Sequence, residues 1–226
     1  IYPFFDEKNL CEIEFLPEQY YHLGLKISDE VRKMNEITNF PDKIPVFNLK
    51  EHFKAQVKKL NDLLEDNNYK NKIYQFISKE EINHLMNFME EKFQKVIKHE
   101  TKLNHNDVKL VNIMIDNNHD YYLVDIDYLG CTLLGYNVNY SIYSFLFSDE
   151  FYTNEKYFLK GFIQGIDPQK KLMDEWSYFM ISDFINELKP SIDKRYDLLV
   201  SEKHRIKQIL FNDNNYLEDI LYGDAF

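Results

Sequence analysis

The hydrophobic period of this chain changes once, and that change constrains its fold more than any other feature. From Pro17 onward apolar residues recur every three or four positions: Tyr20, Leu23, Ile27, Val31 and Met34; then Leu49, Phe53, Val57, Leu60 and Leu64; then Ile82, Leu85, Met89, Phe93 and Val96. That spacing lines one face of a helix. Pro17 suits a first helical position, Asn48 with Glu51 reads as a capping pair, and Ser78 with Glu81 as a capping box. Between Leu103 and Gly130 the period is lost. Val111 to Asp116 and Tyr121 to Ile126 are short runs rich in Ile, Val, Leu and Tyr, separated by Asn117-Asn118-His119-Asp120. Such a turn sequence predicts a β-hairpin. A regular ladder around a turn at 117–120 sets residue 116 opposite 121, and therefore 112 opposite 125. Helical spacing then returns, near Tyr140 to Phe147, from Asn154 to Gly165, from Pro168 (Leu172, Trp176, Met180, Phe184), from Pro190 (Ile192, Tyr196, Leu199, Ile206, Leu210) and around Tyr216 to Leu221. The expected fold is α+β, predominantly α-helical, with one hairpin in its middle.

Composition narrows the classes. The 226 residues can bury a substantial core, and 44% of them are hydrophobic, which argues against disorder. No apolar run approaches the ~20 residues that span a bilayer, and no signal-peptide pattern stands at the start. Two cysteines, Cys11 and Cys131, make no disulfide framework, so a reducing cytoplasm is the expected setting. A formal charge of −11 argues against general nucleic-acid binding. It suits a cationic small molecule, although net acidity more often serves solubility. Runs such as Glu90-Glu91-Lys92 read as solvated faces. His22, His52, His84, His99, His119 and His204 show no metal-ligand spacing.

The chemistry concentrates around the hairpin. In the expected register Asn112 faces Asp125 with Cβ atoms about 5 Å apart. An amide oxygen and a carboxylate at that distance can share one Mg2+, which typically takes one or two carboxylates plus substrate phosphates. Asp127, two residues on, returns to the same strand face. Ahead of the first strand stands His105-Asn106-Asp107-Val108-Lys109-Leu110-Val111-Asn112. An Asp in an irregular loop there can orient a hydroxyl and take its proton, and Lys109 can reach a transferred phosphate as a point charge.

This series resembles the kinase catalytic loop, H-x-D-x-K-x-x-N, and is closest to the aminoglycoside phosphotransferase and choline kinase-like superfamily. That family writes H-[GN]-D-x-x-x-x-N and then an apolar strand ending I-D-x-[DE], matched here by His105-Asn106-Asp107…Asn112 and Val124-Asp125-Ile126-Asp127. The resemblance implies Asp107 as catalytic base, Asn112 and Asp125 as magnesium ligands and His105 as a structural member of the loop. It places Met114 beneath an adenine and makes Ile1-Tyr2-Pro3-Phe4 a linker whose backbone bonds the adenine edge. Residues 1–16 then form the linker between lobes. Residues 17–226 form the helical C-terminal lobe of a protein-kinase-like fold, with the catalytic hairpin at 103–130 and the N-terminal β lobe absent.

The implied activity is magnesium-dependent transfer of the γ-phosphate of ATP or GTP to a hydroxyl of a small, cationic molecule, inactive without the N-terminal lobe. The partners implied are nucleotide, acceptor and that missing lobe, with neither nucleic acid nor membrane. Besides the missing lobe, two features set the chain apart from the family. Lys109 is nearer to protein kinases, yet no Ala-Pro-Glu closes an activation segment after Asp127. The family's Asp in a G-x-x-x-x-D pattern, which anchors the catalytic loop, is lacking, because Gly135 leads into Tyr136-Asn137-Val138-Asn139-Tyr140. Two alternatives stay open: a non-catalytic kinase-like binding module and a protein kinase fragment.

Overall fold

A computed structural model describes residues 8–9, 15–41, 43–116, 120–138, 155–201, 207, 210, 218 and 221–223. In chain order the elements are β1 (Lys8–Asn9), α1 (Pro17–Asn35), α2 (Leu49–Glu65), α3 (Asn67–Ile73), α4 (Lys79–Val96), β2 (Lys102–Asn104), β3 (Ile113–Ile115), β4 (Tyr121–Leu123), β5 (Gly130–Thr132), α5 (Glu155–Ile166), α6 (Met173–Lys194) and α7 (Tyr196–Ser201). Helices dominate and the sheets are small, as the hydrophobic periods imply. Pro3, Phe4, Cys11 and the helix expected at Tyr140 to Phe147 lie outside the described residues. No described helix is long and apolar enough to cross a membrane.

The chain divides into two compact units, residues 1–47, 101–172 and 221–226 in one, and residues 48–100 and 173–220 in the other. In the first, α1 starts at Pro17, and the Leu16 amide donates to Gln19 Oε1 at 2.7 Å. Its face of Tyr20, Leu23, Ile27 and Val31 is buried. Helices α1 and α5 touch backbone to backbone. A Cβ on Gly24 would strike the Phe158 carbonyl, and one on Gly161 would strike the Tyr21 carbonyl. Only glycine allows this approach. A three-stranded antiparallel sheet runs in the order β1-β3-β4, and β2 pairs antiparallel with β5. The loop before α2 adds to the second sheet, since Cys131 N donates to Pro45 O and Phe47 N to Cys131 O, each at 2.8 Å.

The second unit is helical. Asn48 caps α2 through Glu51 N, and Ser78 and Glu81 close a capping box on α4, as their spacing predicts. Phe53 stacks on Phe93 with ring centroids 4.3 Å apart. Three expectations fail. Lys92 is not on a solvated face: it is 1% exposed and shares the buried stripe of α4 with Ile82, Leu85, Met89 and Val96. Its ammonium is satisfied by Asp174 at 2.6 Å and lies over the Phe88 ring. Pro190 does not start a helix but sits inside α6. A proline leaves the carbonyl four residues earlier without its helical donor. That carbonyl belongs to Asn186, and Lys59 Nζ supplies the missing hydrogen bond at 3.1 Å while also donating to Asn186 Oδ1 at 3.0 Å. Nor does helix begin at Pro168; α6 starts at Met173.

Candidate active site

The hairpin closes one residue tighter than a regular four-residue turn would allow. Ile113 pairs with Leu123, Met114 with Tyr122 and Ile115 with Tyr121. Asp116 N donates to Asp120 O at 3.0 Å, and the Asp116 carboxylate accepts the Asp120 amide at 2.9 Å. Asp116 therefore draws Asp120 into the ladder, and the register shifts by one. Asn112 consequently faces Val124, whose N–H donates to Asn112 O at 2.9 Å, rather than Asp125. Asp125 then leaves the strand in the left-handed region, at φ 63° and ψ 66°. Residues Ile126–Tyr128 form a 3₁₀ turn, so Asp127 does not regain a strand face by alternation. Both acids are exposed, next to the exposed side chains of Ile126 and Tyr128.

The loop between β2 and β3 gathers three of the expected residues. Asp107 is buried, and its Oδ2 accepts Asn112 Nδ2 at 2.7 Å and Lys109 Nζ at 2.8 Å. The same Asn112 nitrogen donates to Asp107 O at 2.9 Å. With its nitrogen committed to Asp107, Asn112 turns its oxygen the other way. A 3₁₀ turn at Leu110–Asn112 makes this possible, bringing the side chain at 112 back over the residue five positions earlier.

His105, in the same loop, is fully buried, with Nε2 3.0 Å from Val124 O. A carbonyl only accepts, so Nε2 carries the proton, while Nδ1 is buried without a partner. Burial holds His105 below the ordinary imidazole range, against the opposite pull of the Val124 carbonyl and of Asp107 and Asp125. The neutral ring thus ties the loop to the residue immediately before Asp125. Met114, half-buried in the middle of β3, pairs with Tyr122 on one side and Asn9 on the other.

Sequence reasoning missed Asn137. Its Oδ1 accepts Asn106 N at 3.1 Å and its backbone oxygen accepts Val108 N at 2.8 Å, so it clamps the two amides that flank Asp107. Asn106 takes a left-handed conformation, φ 68°, and is held further by Nδ2 to Tyr128 O at 2.7 Å and by the Thr132 hydroxyl. A search for an acceptor oxygen after the hairpin, rather than for an acid, would have found Asn137.

The side chains offer oxygen donors, as a hard cation requires. Among the described residues no cluster of three or more His, Cys, Asp or Glu is placed to hold a metal. A divalent cation held by Asn112 and Asp125 would need further oxygens from a bound ligand or from water.

The chain is similar in structure to the AMP-bound complex of a spectinomycin phosphotransferase, APH(9)-Ia, with a TM-score of 0.55 and 18% sequence identity. The match covers 97% of this chain and 70% of that one. The likeness is one of fold. No protein-family profile matches the sequence, and no curated protein matches it.

Proposed function

We propose that this chain is the helical, C-terminal-lobe part of a kinase-like phosphotransferase that moves the γ-phosphate of ATP or GTP to a hydroxyl of a small cationic molecule. The observation that carries the reading is the hydrogen-bonded group of Asp107, Lys109 and Asn112, tied through Asn112 and His105 to the residue before Asp125. The structural likeness to a phosphotransferase bound to AMP supports it at the level of fold.

In this reading Asp107 orients the acceptor hydroxyl and takes its proton. Lys109, within reach of that carboxylate, offsets charge on the transferring group. Asn112 Oδ1 and Asp125 hold magnesium with the nucleotide phosphates, Asp127 stands near enough in sequence to hold a water, and Met114 lies under the base. Magnesium, when bound, neutralises charge on the phosphate oxygens. One observation favours a non-catalytic binding module instead: Asp107 Oδ2 already holds two donors.

Two measurements on the full-length protein separate the readings. Calorimetry with ATP or GTP should show affinity that requires magnesium and is lost in Asp125→Ala. A panel of amino-alcohols and aminoglycosides should include an acceptor that is phosphorylated. Nucleotide affinity indifferent to magnesium, with no acceptor modified, would leave only the binding module.

A further inference from the structure

Asn35 is the last residue of α1, yet its side chain turns away from solvent into β2. Nδ2 donates to Leu103 O and to Asn104 Oδ1, each at 2.7 Å. Asn104 is fully buried, and its own Nδ2 donates to Thr132 O at 3.0 Å and Thr132 Oγ1 at 3.1 Å. Its oxygen also accepts Asn137 Nδ2 at 2.7 Å. Asn137, in turn, clamps the Asn106 and Val108 amides on either side of Asp107. We infer that Asn35 is a positioning residue for the Asp107 loop, acting through Asn104 and Asn137. Its consequence for catalysis rests on the phosphotransferase reading above.

The polarity of the relay is fixed at the α1 end. Both hydrogens of the Asn35 amide point at oxygens, so Asn104 must present Oδ1 to it and send its nitrogen to Thr132. That orientation leaves Asn104 Oδ1 ready for one more donor, which a carboxylate at 137 would not supply. An amide at 137 supplies it and still offers Oδ1 to Asn106. Buried chains of this kind polarise one another and are costly when half satisfied. The departure from an acidic anchor is therefore explained by what stands behind it.

A merely structural Asn35 and a positioning one differ in a measurable way. Asn35→Asp keeps the shape and removes both donors. Asn35→Ala removes the group without adding charge, and at this half-buried helix end it gives a second folded protein to read. Amide exchange in the full-length protein reports local opening, so Asn106 and Val108 should exchange about tenfold faster or more in both variants while Val31 in α1 is unchanged. Phosphotransfer should lose a comparable factor in kcat at unchanged KM for nucleotide. Unchanged exchange at Asn106 and Val108 overturns the relay. Faster exchange with unaltered kcat overturns the positioning role and leaves the functional reading intact. A wild-type protein that transfers no phosphate removes both together.

Discussion

At the scale of single residues, Asp107 Oδ2 is shared, since an amide and an ammonium both donate to it. If Lys109 serves the transferring phosphate, Lys109→Met should lower kcat by about 10²-fold while leaving nucleotide affinity nearly unchanged. Steady-state kinetics with calorimetry on the same variant reads both numbers. A second residue is informative about stability. His52 lies half-buried between the Tyr178 hydroxyl at 2.9 Å from Nδ1 and Ser182 Oγ at 3.2 Å from Nε2. Burial lowers its pKa to about 4. The unfolded chain therefore takes up a proton near the ordinary imidazole pKa that the folded protein refuses until about pH 4. The stability His52 contributes is whole above that ordinary value and falls as pH drops through the window, by up to about tenfold in folding equilibrium per pH unit. Denaturant melts across pH 4 to 7 should show this slope in wild type and a shallower one in His52→Gln.

At the scale of elements, the legible features were those whose partners lie within one turn. Pro17, the Asn48–Glu51 cap and the Ser78–Glu81 box each stand where their spacing puts them. The misread ones depend on distant partners. Pro190 looks like a helix start because the sequence does not reveal that Lys59 will reach the carbonyl it leaves bare. Lys92 looks solvated because its charge hides its place in the 85–89–92–96 stripe. The hairpin slipped by one because the Asp116 side chain, not the turn length, sets where the ladder closes. Lys59→Met should destabilise the protein by about 1 kcal/mol, as expected for a half-buried carbonyl left without its donor. In a Pro190→Ala background, where a helical amide can satisfy Asn186, most of that cost should vanish. A double-mutant cycle by chemical denaturation measures it. The α1–α5 contact has no slack either, and Gly161→Ala should cost about 1–3 kcal/mol through overpacking.

At the scale of the whole molecule, the predominance of helix around one small hairpin was readable from the change of period, and the loop residues that meet were readable from their spacing. What was not readable was the second layer behind them: Asn35, Asn104, Thr132 and Asn137 come from separate segments and meet only once β2 and β5 pair. The net charge of −11 acts over the entire surface. For a cationic acceptor it predicts that KM rises several-fold as ionic strength increases from about 0.01 to 0.15 M, whereas a neutral acceptor should not respond. The most direct trial of the account is the rate of γ-phosphate transfer by full-length protein with ATP and magnesium, compared with its Asp107→Asn variant. An isosteric amide preserves the shape of the loop but cannot take the proton, and the account predicts a kcat lower by about 10²–10⁴-fold with nucleotide affinity preserved. Equal rates in the two proteins would contradict it.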